Sequence, residues 1–290
     1  MNENTTLLLL DGHNLAYRAF YGLRELSTRD GRPTNAVYAF IRMLEQLRRI
    51  WMPTHWCVFF DGGLPAHRTE ALPTYKAQRK PMPDPLRAQL PVIDAYLDRA
   101  AVPRRRIEGQ EADDLIATAC GRARAEAGRV LIVSSDKDLF QLVGGPVFMV
   151  SPADPGRLID GSGIEARTGV PPAGIVEWLA LTGDTADNIP GIPGVGPKTA
   201  TALLARFGSL AAVWARLDEV DPPRLREKLR THRATVERNL EMMRLHADVD
   251  GTPDWRACGA VRAPAAALRP FFEDLEFHSL VKELAEPELF

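Results

Sequence analysis

The stretch "VLIVSSDKD", residues 130–138, opens apolar and closes on two small hydroxyl residues and two aspartates. Its apolar part lacks strict alternation, which suits a strand covered on both faces. Two other runs share the design: "LLLLD" (7–11) ends at Asp11 and "WCVFFD" (56–61) ends at Asp61. "PVFMVS" (146–151) reads as a fourth strand. Amphipathic helical patterns lie between them, at 36–50, 84–100 and 111–127. Strands alternating with helices imply an α/β fold with a mostly parallel central sheet flanked by helices. Parallel strands end on one edge, and sites in open α/β sheets gather there. Asp11, Asp61 and Asp136 therefore share one rim, with Asp138 beside them.

The chain of 290 residues, 45% hydrophobic and 26% charged, is long enough for one large domain or two modest ones and has globular composition. Its three cysteines, Cys57, Cys120 and Cys258, form no CxxC pair, which argues against a zinc site or a disulfide framework. They read as inert core thiols in a reducing compartment. The apolar run "TTLLLL" is too short for a signal peptide or a membrane span. From about residue 175 the α/β alternation gives way to helix, acidic loop, Gly/Pro hairpin and helix, and after Pro222 the pattern is mostly helical. The expected division is 1–175 for the α/β core and 176–290 for a helical region packed on it. Within the core, residues 62–90 are an insertion whose first part, 62–85, is punctuated by Gly and Pro and reads as a mobile loop or arch.

"EGQEADDLIA" (108–117) places Glu111, Asp113 and Asp114 at the start of a helix. The helix dipole favours acids there, but it does not require three. Asp184 and Asp187, in the later acidic loop, bring the candidate site acids to nine. Like charges packed that densely are costly unless cations neutralise them. No histidine or cysteine recurs among them, so the donor set is all oxygen and suits Mg²⁺ or Mn²⁺ rather than Zn²⁺. Nine acids exceed the needs of one ion, whereas two ions about 3.5–4 Å apart match phosphodiester chemistry. The net charge of −2 hides a basic remainder. Without those nine, 29 acids face 36 Lys and Arg, a balance of +7 that can meet phosphate.

"PGIPGVGPKTA" (190–200) is a Gly-rich turn entering a helix, where backbone N–H groups can approach a phosphate. Gly191, Gly194, Gly196, Lys198 and Thr199 are its candidate DNA contacts, in the spacing of a helix–hairpin–helix. "PTYKAQRKP" (73–81) sets Tyr75, Lys76 and Arg79 in the insertion, Tyr75 as a candidate DNA contact and Lys76 and Arg79, on one face if helical, as candidates to bind the scissile phosphate or a passing single strand. In "NLAYRAF" (14–20), Tyr17 can stack on a base and Arg18 can hold a phosphate. "RRR" (104–106) reads as surface charge, and His13, beside Asp11, receives no role.

Together, "LLDGHNLAYRAFYGL", "FDGGLPAHRTEALPTYKAQRKPMPDPLRAQLP", "EGQEADDLIA", "SSDKDLFQLV" and "LTGDTADNIPGIPGVGPKTA" resemble the 5′-nuclease domain of bacterial DNA polymerase I, a branch of the flap endonuclease family. The resemblance runs from about Leu8 to the end and includes "LRPFFEDLEFHSLVKEL" (268–284). It implies a PIN-like nuclease core, a helical arch and a C-terminal helix–three-turn–helix element. The activity implied is a structure-selective 5′-3′ exonuclease and 5′-flap endonuclease working through two divalent ions. One ion would draw on Asp11, Asp61, Glu111 and Asp113, and the second on Asp136, Asp138 and Asp184, with Asp114 and Asp187 near or bridged by water. Lys76 and Arg79 would position the scissile phosphate, Arg18 would contact a phosphate and Tyr17 would stack on a base. Residues 191–199 would grip duplex DNA, with K⁺ on their carbonyls.

All nine acids are present, as an active enzyme requires, while His13 and the Ser134–Ser135 pair are small departures from the family pattern. The resemblance further implies a bacterial cytoplasmic, nucleoid-associated monomer acting on DNA with a 5′ single-strand/duplex junction, alongside a DNA polymerase and a ligase. It leaves open a stand-alone nuclease or an excised domain. Two rivals are a related nuclease acting mainly on RNA and a non-catalytic protein that binds DNA junctions.

Overall fold

Leu7, Leu9, Cys57, Phe59, Val130 and Ile132 pack into one apolar layer, and Leu8, Leu10, Trp56, Val58, Phe60, Leu131 and Val133 into another. Successive strand residues point to opposite faces. Both faces are covered, so both sets are apolar and the alternation vanishes. The computed structural model describes residues 2–261 and 263–284. The first half runs β1 (Asn2–Asp11), α1 (Gly12–Gly22), α2 (Asn35–Trp51), β2 (His55–Phe60), α3 (Ala66–Ala71), α4 (Asp84–Arg99), β3 (Arg104–Arg106), α5 (Ala112–Ala123), β4 (Ala127–Val133), β5 (Val147–Ser151) and β6 (Asp154–Ile159). It continues with α6 (Gly161–Thr168), α7 (Ile175–Thr182), β7 (Gly183–Asp184), β8 (Ile189–Pro190), α8 (Pro197–Phe207), α9 (Leu210–Ala215), α10 (Pro223–Thr231), α11 (Arg233–Met243), α12 (Ala265–Asp274) and α13 (His278–Glu283).

The fold is α/β with a mostly parallel sheet in the order β3-β2-β1-β4-β5-β6, of which only β6 runs antiparallel to its neighbour. The chain moves outward from β1 to β2 and β3, then crosses to β4 on the other side of β1. That reversal at β1 and β4 is the switch point where open α/β sheets form crevices. Helix α2 shows why the crossover helices form. Val37, Phe40, Ile41, Leu44 and Leu47 are buried at helical spacing, while its outer face carries Gln46 and Arg49. Residues of α1, α2, α4, α12 and α13 fill one layer, and residues of α5 and α7 to α11 fill the other. The C-terminal helices thus return to the face built by the first third of the chain. Arg42 pairs with Glu283, and Arg32 with Asp274 at 3.0 Å. Residues 285–290 of the expected helical region lie outside the described residues.

Three sequence expectations change, and β6 adds a strand that the sequence reading did not name. The helix expected over 111–127 stops at Ala123, and β4 begins at Ala127 because that residue pairs with Asn2 of β1. Sheet pairing overrides the helical preference of an alanine-rich segment. "RRR" is also an edge strand, since Arg104–Arg106 pair in parallel with residues 58–60. Its charge still faces outward, with Arg104 bonded to Asp94 and Asp98. "DPGRLI" forms β6 on the opposite edge, where its Pro155 is tolerated. The insertion contains the six-residue α3, a set of turns and the start of α4, and its first part is anchored rather than mobile. Arg68, Leu72 and Tyr75 are buried beneath it, at 3%, 9% and 5% exposure. Residues 77–81 beyond them are exposed.

Candidate active site

Each acid reaches the crevice for a local reason. Asp11 ends β1 and caps α1, accepting from the Asn14 N–H at 3.0 Å and from the Ser134 hydroxyl at 2.9 Å. Asp61 follows β2 and accepts from the Ala112 N–H at 2.9 Å, which ties it to the first turn of α5. Gly62 makes this possible. Its N–H donates to the Gln110 carbonyl at 2.8 Å, and a Cβ there would lie 1.8 Å from the Ile107 carbonyl oxygen. Gly62→Ala is therefore expected to pry Asp61 from α5 at a cost of about 2–3 kcal/mol, a fall in Tm of roughly 4–10 °C. An unchanged melting curve by circular dichroism would show that this junction yields freely.

Asp113 lies in the first turn of α5, and Asp136 follows the Ser134 hydroxyl, to which its N–H donates at 3.0 Å. Asp11, Asp61, Asp113 and Asp136 line one cavity of about 360 Å³, together with His13, Asn14, Tyr17, Lys76, Arg79 and Met82. Beside it, carboxylate oxygens of Asp138, Asp184 and Asp187 lie within 4.8 Å of one another. Lys137 reaches Asp184 at 3.0 Å.

The electrostatics show crowded negative charge. Burial, then the charges of Asp61 and Asp136, push Asp11 up to about 7 against its two hydrogen bonds. Burial and neighbouring acids hold Asp113 and Asp138 well above the usual carboxylate range, and raise Asp136 too. Asp61 is the exception. Burial would raise it, but the hydrogen bond and charge of His13, with the Ala112 N–H, hold it down to about 2. The Nδ1 of His13 lies 3.0 Å from the Asp61 carboxylate, so a residue without an assigned role from sequence lines the cavity and pairs with an expected ligand.

Glu111 and Asp114 face away from this pool, toward Arg68. The Arg68 guanidinium meets Asp114 at 2.7 and 2.9 Å and also bonds Glu111. It donates as well to the Met242 carbonyl at 3.1 Å. Asp114 is fully buried and accepts from the His246 N–H at 2.9 Å, so both its oxygens are already used. This position makes it a structural partner of Arg68 rather than a direct metal ligand. Glu111 also accepts from the Tyr75 hydroxyl at 3.0 Å and from Lys76. Tyr75 is a correction: buried, with its hydroxyl also 3.3 Å from Asp187, it has no face for a DNA base.

Lys76 and Arg79 come together at Asp187, at 3.5 and 2.6 Å. They reach it through turns, not a helix, and Lys76 has φ 55°. The Lys76 N–H donates to the Asp187 carbonyl, which pins the insertion to the acidic loop. Arg18 is exposed and donates to the Pro152 carbonyl at 3.1 Å, outside the residues lining the cavity.

The 191–199 turn sits apart, at the entry to α8. Gly183 and Gly191 approach so closely that a Cβ on Gly191 would lie 2.3 Å from the Thr182 carbonyl. Gly194 has φ 77°, Gly196 caps α8, and Lys198 is exposed with Thr199 half-buried. The Pro193 carbonyl accepts from the Lys228 ammonium at 2.6 Å.

The donor set fits divalent cations. The Oδ1 of Asp138 is buried without a hydrogen-bond partner and belongs to the tight trio with Asp184 and Asp187. A buried orphan oxygen among crowded carboxylates is what an oxygen-coordinated cation satisfies.

Comparison with known proteins places this site in a family. Residues 6–169 match the 5′-3′ exonuclease N-terminal resolvase-like domain, and residues 170–265 match the 5′-3′ exonuclease C-terminal SAM fold. The chain belongs to the 5′-3′ exonuclease family. A 5′-3′ exonuclease of Aquifex aeolicus is 36% identical over 96% of this chain and 95% of its own length. The thermostable DNA polymerase I of Thermus filiformis is 38% identical over 96% of this chain. The chain spans about a third of such polymerases, 33% in that case. Among solved structures, T5 5′-exonuclease with bound divalent zinc ions superposes with a TM-score of 0.70 at 22% identity, over 97% of this chain and all of that one. The catalytic core of Rad2 in complex with a DNA substrate gives 0.66 at 18% identity, over 98% and 92%. Both likenesses establish the fold. Membership rests on the family match, and in this chain the acid-lined crevice brings four carboxylates to one cavity.

Proposed function

We propose that this chain cleaves DNA at a 5′ single-strand/duplex junction, both as a 5′-3′ exonuclease and as a flap endonuclease. The observation that carries the reading is the convergence of Asp11, Asp61, Asp113 and Asp136 on one cavity beside the Asp138–Asp184–Asp187 trio, with Lys76 and Arg79 between the two. Two Mg²⁺ or Mn²⁺ ions held by these acids would lower the pKa of a bound water and stabilise the leaving 3′ oxygen. Glu111, held by Arg68, Tyr75 and Lys76, would support the first ion from behind.

Lys76 and Arg79 are rooted on Asp187 and face the cavity, where they can orient the scissile phosphate. Arg18 would hold a phosphate further along the strand, and Tyr17 would stack on a base at the cavity wall. The turn at Gly191, Gly194 and Gly196, with Lys198 and Thr199, would hold the duplex backbone. A K⁺ ion there would compete with the Lys228 ammonium for the Pro193 carbonyl. The proposal includes an α/β core over 1–175 and a helical DNA-gripping region from 176, acting as a monomer in the bacterial cytoplasm with a polymerase and a ligase. No helix among the described residues is long and apolar enough to cross a membrane.

Matched 5′-flap substrates with DNA or RNA flaps, incubated in Mg²⁺ or in EDTA, test this. The expected result is cleavage near the junction of the DNA flap in Mg²⁺ alone, leaving a 5′-phosphate. Preferential cutting of the RNA flap would favour an RNA nuclease, and tight binding without any cut would favour a junction-binding protein.

A further inference from the structure

The face of α1 that lines the cavity does not end at Tyr17. His13, Asn14 and Tyr17 line it, and one helical turn further on the same face carries Tyr21. Tyr21 is 71% exposed, the second most exposed large apolar or aromatic side chain among the described residues. Its ring stands 6.5 Å from that of Tyr17, with only 18° between their planes, and Phe20 buttresses it edge-on at 5.1 Å. Two near-parallel aromatic faces thus run from the catalytic cavity to open solvent. Cations accompany them: Arg79 and Arg87 are close enough for their charges to act on the Tyr17 hydroxyl. A row of aromatic rings beside guanidinium groups suits unpaired nucleic acid, because every base offers a π-face and every linkage a negative charge.

We infer that Tyr21 extends the stacking wall by one position, so that Tyr17 and Tyr21 together hold two successive unpaired bases of a single-stranded nucleic acid entering the cavity. The inference rests on the proposed junction-cleaving function and adds a residue and a ligand feature to it, namely bases rather than phosphates alone. A phenol left 71% exposed contributes little to the fold, whereas on this wall its open face gains a partner when a strand arrives.

The test is fluorescence anisotropy in EDTA, with duplexes carrying a 5′ overhang of thymidines, the same overhang made of abasic sites, or no overhang. Wild-type protein is expected to bind the thymidine overhang roughly tenfold more tightly than the abasic one. Tyr21→Ala is expected to lose most of that ratio, and Tyr21→Trp to restore it. A general loss of fold would weaken all three duplexes together and leave the ratio intact. If Tyr21→Ala keeps the wild-type ratio, the inference is overturned while the junction reading stands. If wild-type protein does not distinguish either overhang from the blunt duplex, the junction reading itself fails and the inference fails with it.

Discussion

Asp113→Asn is expected to lower cleavage on the order of 10³-fold and yet to raise the Tm of the metal-free protein. Asp113 is half-buried among Asp136, Asp11, Asp61 and Asp138, and desolvation together with their charges pushes its carboxyl far up. Without cations, ionising it costs free energy in the fold that it does not cost in the unfolded chain. Asparagine keeps the shape and removes the charge. The same logic sets the pH dependence of chelator-treated protein. Asp11 is raised to about 7 from an ordinary value of 3.8, so the folded state holds a proton that the unfolded chain releases earlier. Stability should then fall as pH rises from about 4 to about 7, by on the order of a few kcal/mol. Adding Mn²⁺ should reverse the trend, because metal competes with those protons. Thermal melts across pH, with and without Mn²⁺, measure both effects. A metal-free protein whose Tm climbs steadily over that pH range would contradict the crowding argument.

Arg68→Met carries the largest expected loss of stability. Arg68 has 3% exposure and is the only cation bonded to Asp114 among the described contacts, while Asp114 itself is fully buried. Removing the guanidinium strands a buried charge and leaves the Met242 carbonyl without its donor. Breaking such a pair from one side costs about 3–5 kcal/mol, or a Tm drop of roughly 6–20 °C. Adding Asp114→Leu should return part of that loss, because the charge is no longer stranded. A double-mutant cycle by urea denaturation gives the coupling. If the double variant is no more stable than Arg68→Met, the guanidinium acts on something other than Asp114. Activity should fall as well, since Arg68 also bonds Glu111.

Most of the sheet and the rim were legible because strand length, chain direction and a terminal aspartate repeat in one pattern. That pattern puts Asp11, Asp61 and Asp136 on one edge, and all three line the cavity. The nine acids read as one pool, yet the fold separates them. Asp113 looks into the cavity, and Asp114, one residue on, turns about 100° around α5 to meet Arg68. Helical phase carried that distinction, and a first-turn pair read only as charge conceals it. Arg68 was invisible because "AHRTEA" has no motif of its own. An acid count larger than two ions need is the signal that a buried cation is required. Tyr75 lay beyond sequence reading for the opposite reason, since a tyrosine beside two cations looks like a DNA contact and only packing shows its ring beneath them. His13 was missed because its partner, Asp61, lies on a neighbouring strand.

The most direct test of the central claim counts metal ions. Mn²⁺ binding would be followed by electron paramagnetic resonance on wild-type, Asp11→Asn and Asp138→Asn protein, each with a 5′-overhang duplex. Two ions in the wild type and one in each variant are the predicted result, since the rim and the Asp138–Asp184–Asp187 trio would each hold one. A wild-type protein that binds one ion or none, or an Asp138→Asn variant that keeps both, would contradict it.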